Sequence, residues 1–307
     1  SWASGYLIIA THSWMQNPVG YEILANGKFV LNNFGALFSN PWLLPSYFHN
    51  QAASLVTASF VVAGIGAFYI LNNKNVEFGK LFVKTGVIFG LISSIIVAMP
   101  TGDLLAKNVV KYQPVTFAAM EGIFHTEKGG SEIVLIGQPD VKNKKLDNKI
   151  AVPNILSILT YGNWDQEVKG LDQFPEDVHP TNISGLYYGY HIMVGLGTLF
   201  IGLLAFAVFQ LIRKKLYTTK WVLWLLLFFI PFPYIANTTG WYTAELGRQP
   251  WLVYNLLRTS EGASPTVSSG NTLFTLLGFI GLYLLLGMLF LLLVGKIINK
   301  GPKPQTH

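Results

Sequence analysis

Cysteine is absent from the 307 residues, which excludes disulfides, iron–sulfur clusters, thiolate-ligated haem and covalently attached c-type haem together. Any metal must then be held by His, Met or carboxylate side chains. Charge is the second scarcity: 12% of the residues are Asp, Glu, Lys or Arg, against about a quarter in ordinary globular chains. The first thirteen residues hold no Lys or Arg and do not begin with methionine, so a signal peptide fits poorly. Internal repeats and low-complexity tracts are also missing.

What remains is apolar: 51% of the chain is hydrophobic, gathered in long runs. Residues 54–71, 85–99, 186–212, 221–235 and 273–298 approach or exceed the roughly 20 residues that cross a hydrocarbon layer, the shorter two extending through polar flanks. Residues 1–13 are too short to cross and read as the end of a sixth span. The expected fold class is all-α, a polytopic transmembrane helical bundle in the lipid bilayer with one long extracytoplasmic loop.

The net charge of +6 does not point to nucleic acid, because the basic residues sit at helix ends. They form three clusters: Lys74, Lys80 and Lys84; Arg213, Lys214, Lys215 and Lys220; Lys296, Lys300 and Lys303. The positive-inside rule makes these cytoplasmic, and five spans alternate between them without forcing. Residues 101–182 then lie outside, with eleven acids against eight lysines. So long a connection is more than a linker. Its apolar patches at 115–124, 133–136 and 150–161 suggest a small, partly helical lid. The organisation expected is membrane helices over 1–100, the loop over 101–182, and three further membrane helices over 183–307.

Four constellations could carry chemistry. His49 lies near the outer end of its span and could ligate haem iron, although a lone interfacial histidine more often bonds a backbone carbonyl. Met193 lies at a matching depth beside Gly195 and Gly197; a packing methionine is the bland alternative. Together they form the His/Met axial pair of a low-spin haem. In Gly240-Trp241-Tyr242-Thr243-Ala244-Glu245-Leu246-Gly247-Arg248-Gln249-Pro250-Trp251, the spacing of Glu245 and Arg248 makes them neighbours on one helix face. An ionisable pair at membrane depth is either structural or functional, and Trp241, Trp251 and Gly247 offer the mixture a haem pocket needs. Finally, Glu121 in Gln113-Pro114-Val115-Thr116-Phe117-Ala118-Ala119-Met120-Glu121 could accept the proton released when a quinol is oxidised, or could be a solvated residue of a surface helix. His12, His125, His179 and His307 are given no role.

These residues resemble subunit I of the cytochrome bd-type quinol oxidases, in order over essentially the whole chain. Trp14-Met15-Gln16-Asn17-Pro18 resembles the family's turn after its fourth helix, the 240–251 stretch its most recognisable signature, and 113–121 the start of its quinol-binding loop. The resemblance implies a quinol:oxygen oxidoreductase in a bacterial or archaeal cytoplasmic membrane, with quinol oxidised at the outer face. It implies a low-spin haem b held by His49 and Met193, a high-spin haem b with Glu245 as iron ligand, and a haem d or further haem b. Arg248, Trp241 and Trp251 would line the haem pocket, and Glu121 would belong to the quinol site. Oxygen, a second integral membrane subunit and small single-helix subunits would complete the complex. Thr116 stands where many members have lysine, Ala106 where glycine is common, and His191 where an arginine often precedes the haem methionine; His191 would replace that cation when protonated. About four further helices of the family, with another haem ligand, are not in this sequence and would either precede Ser1 in the same polypeptide or be supplied by a separate chain. A membrane transporter or channel using Glu245 and Arg248 as a substrate or proton site is the rival from another class.

Overall fold

The computed structural model describes residues 2–302, so Lys303 of the third basic cluster and His307 lie outside the described residues. Helices are α1 (Trp2–Gln16), α2 (Phe34–Phe38), α3 (Leu43–Leu71), α4 (Val76–Ile96), α5 (Asp103–Tyr112), α6 (Pro114–Glu121), α7 (Ile155–Tyr161), α8 (Ile183–Ile212), α9 (Lys220–Phe228), α10 (Phe232–Arg248) and α11 (Ser269–Lys300). Three antiparallel hairpins join them: β1 (Tyr21–Ile23) with β2 (Phe29–Leu31), β3 (Ile133–Asp140) with β4 (Lys145–Val152), and β5 (Trp251–Val253) with β6 (Leu257–Arg258).

Among the described residues, five stretches are long and apolar enough to cross a membrane: Leu43–Leu71, Val76–Tyr112, Ile183–Ile212, Lys220–Arg248 and Ser269–Lys300. Each contains one of the five runs read from the sequence. The first begins well before its apolar run, because polar His49, Asn50 and Gln51 interrupt hydropathy without interrupting the helix. The second continues past its run through a wide turn at 97–102, where Met99 is extended and Pro100 supplies no N–H. The fourth is broken, and α10 restarts after Pro231 with Pro233 in its first turn, a position where the missing N–H is harmless.

The bundle core lies where α3, α4, α8 and α9 meet, around Phe60, Val83, Val87, Leu204, Leu223 and Leu226. Helices α3 and α4 approach closely because small residues face each other; a β-carbon on Gly86 would sit 2.6 Å from the Ser59 carbonyl oxygen. In lipid, association rests on such packing. By contrast, α11 has no buried residue among those described. Its last turns are tied to α3 by the Tyr69 hydroxyl, which donates to the Ile298 carbonyl at 2.9 Å.

A second core joins the loop to the start of α8, with α6 packed on Phe124, Leu156 and Leu171 of the loop and on Leu186 of α8. The patch at 115–124 overlaps α6 and that at 150–161 contains α7, but Ile133 to Ile136 and Ile150 to Val152 pair as strands. Their β-branched residues flank a turn in which the Asn143 N–H donates to Asp140 at 3.0 Å. That is hairpin chemistry, and it supplies the part of the partly helical lid that is not helix.

Candidate functional site

The last turns of α10 carry the densest polar chemistry. Glu245 and Arg248 are three residues apart, and the Arg248 Nη2 donates to Glu245 Oε2 at 2.6 Å. The other carboxylate oxygen lies 3.1 Å from His12 Nε2 on α1. His12 also sets its ring edge-on to Trp241, with centroids 5.3 Å apart. No local pattern marks His12 as part of a site, because its carboxylate partner is 233 residues away. Arg248 is 4% exposed, yet its Nε and Nη1 have no partner among the described residues. A buried guanidinium with idle donors suits an anionic group such as a carboxylate, so these residues fit a haem propionate. Trp251 lies on the next hairpin, under the Arg258 guanidinium at 4.9 Å.

A second group lies on α3, α8 and the turn after α4. His49, in the second turn of α3, places Nδ1 3.2 Å from the Thr101 hydroxyl. Met193 lies in the third turn of α8 and faces α10, where a β-carbon on Gly240 would come within 2.8 Å of its sulfur. His191 is engaged at both nitrogens, 2.9 Å from the Tyr187 carbonyl and 3.1 Å from that of Val134 in β3. It therefore straps the loop hairpin to α8.

Glu121 closes the third group. It is 3% exposed, not solvated, and burial raises its carboxyl from 4.5 to about 7 against a bond from the Tyr190 side chain. Tyr190 is a further residue that sequence reasoning does not find by itself; its spacing from Met193 puts both on one face of α8. Glu121 borders a cavity of about 190 Å³, whose lining includes His125, Glu132, Lys145 and Lys149. His179 is structural, with Nε2 3.0 Å from the Phe174 carbonyl.

Buried hydrogen bonds join this group to the first. The Thr116 hydroxyl donates to the Gly247 carbonyl at 2.7 Å. Gln113 donates to the Gln16 side chain at 2.8 Å, and Gln16 to the Ala244 carbonyl at 3.0 Å. Residues 1–302 match the family described as cytochrome bd terminal oxidase subunit I. The chain belongs to that family.

Among relatives of this subunit I chain, cytochrome bd ubiquinol oxidase subunit 1 of Bacillus subtilis (strain 168) is 34% identical over 99% of the chain and 66% of its own length. Cytochrome bd-II ubiquinol oxidase subunit 1 of Escherichia coli (strain K12) is 24% identical over 97% and 70%. The bd oxidase structure from Geobacillus thermodenitrificans aligns with a TM-score of 0.88 at 28% identity, covering 98% of this chain and 68% of that one. The chain thus spans about two thirds of the length of these three proteins.

Proposed function

We propose that this chain is the haem- and quinol-binding subunit of a bd-type terminal oxidase, a quinol:oxygen oxidoreductase of a bacterial or archaeal cytoplasmic membrane. The observation that carries the reading is the buried Glu121 beside a cavity bordered in part by charged side chains, on a helix hydrogen-bonded into the Glu245–Arg248 turn. Glu121 accepts one of the two protons released as quinol becomes quinone at the outer face, and the cavity connects it with water. His49 and Met193 hold a low-spin haem b, Glu245 a high-spin haem b, and Arg248 answers a propionate beside Trp241. The haems, including a haem d or further haem b, supply one-electron transfer and the reduction of oxygen to water. A second membrane subunit and small single-helix subunits complete the complex. Family membership favours this reading over a transporter.

The test is a visible spectrum and quinol-driven oxygen uptake of the purified complex. Haem absorption and loss of uptake in Glu245→Ala are expected. A complex without haem absorption, or uptake untouched by Glu245→Ala, overturns the reading.

A further inference from the structure

The wide turn at 97–102 sets Thr101 against His49. The Thr101 hydroxyl lies 2.8 Å from the Ile96 carbonyl and 3.2 Å from that of Val97. Carbonyl oxygens only accept, so the single hydroxyl proton is directed at them. The same oxygen lies 3.2 Å from His49 Nδ1, and with its proton committed it can only accept there. His49 must therefore carry its proton on Nδ1, which leaves the lone pair on Nε2.

Resting on the reading of His49 as a haem ligand, we infer that Thr101 is a positioning residue that, beside the Val97 carbonyl, holds the His49 Nδ1–H and the ring orientation, leaving Nε2 free to ligate. Outer hydrogen bonds of this kind fix ring orientation and make the ligand more basic. A more basic imidazole favours the oxidised iron. Removing the acceptor then raises the reduction potential of the low-spin haem.

The experiment compares Thr101→Val and Thr101→Ser in the assembled complex. In Thr101→Val the low-spin haem is retained and its one-electron reduction equilibrium shifts about tenfold toward the reduced form, about 59 mV; Thr101→Ser restores the parent value. Pulsed electron paramagnetic resonance of the oxidised complex reads the hydrogen bond at the remote imidazole nitrogen directly. The coupling of that nitrogen and its exchangeable proton is expected to change in Thr101→Val and to return to the parent value in Thr101→Ser. A remote-nitrogen coupling, or a potential, that is the same in Thr101→Val as in the parent overturns the inference. Retention of the low-spin signal in His49→Ala instead overturns the ligand reading on which it rests.

Discussion

Replacing Glu121 by glutamine keeps the shape of the side chain and removes its titration. Burial lifts the carboxyl from 4.5 to about 7, which at about 1.36 kcal/mol per pH unit amounts to about 3 kcal/mol. Because the folded pKa is raised, the protonated group contributes stability that is fully present below pH 4.5 and lost as pH rises through about 7. Glu121→Gln should therefore gain stability over the parent as pH rises from about 5 to about 8, by up to about 3 kcal/mol. Function moves the other way. A proton acceptor must be ionised, and with a pKa near 7 the ionised fraction grows about tenfold between about pH 6 and about pH 8. Initial quinol oxidation rates should follow that rise in the parent, and the pH limb should vanish in Glu121→Gln. A limb with the same midpoint in both proteins would remove Glu121 from the proton path. A stability difference that does not change with pH would show that burial does not raise its carboxyl.

Thr116→Val should destabilise the loop by about 1–3 kcal/mol, since it leaves the buried Gly247 carbonyl without its donor; thermal unfolding measures this. Gly240→Ala should displace the Met193 sulfur and weaken the low-spin haem signal while leaving the Glu245 site in place, which difference spectra can separate. His12→Ala should leave Glu245 bonded to Arg248 alone and perturb the high-spin haem spectrum more than the low-spin one. An unchanged high-spin band would remove His12 from the site.

The five candidate spans follow from the length of the apolar runs and the placement of Lys and Arg, because hydropathy is a local property that the lipid reads directly. The Glu245–Arg248 pair is legible for a similar reason, since neighbours on one helix face follow from spacing alone. Other features are legible only in part: Pro231 and Pro233 mark the break before α10, and the turn residues between two β-branched runs mark the β3–β4 hairpin. The remaining contacts come from the packed chain. Folding brings His12 to Glu245, Thr101 to His49, Tyr190 to Glu121 and Thr116 to Gly247. These pairs are distant in sequence, and no local pattern encodes them; they exist because close helix packing buries polar groups from distant segments side by side, where most take a partner within reach while Arg248 Nε and Nη1 have none among the described residues.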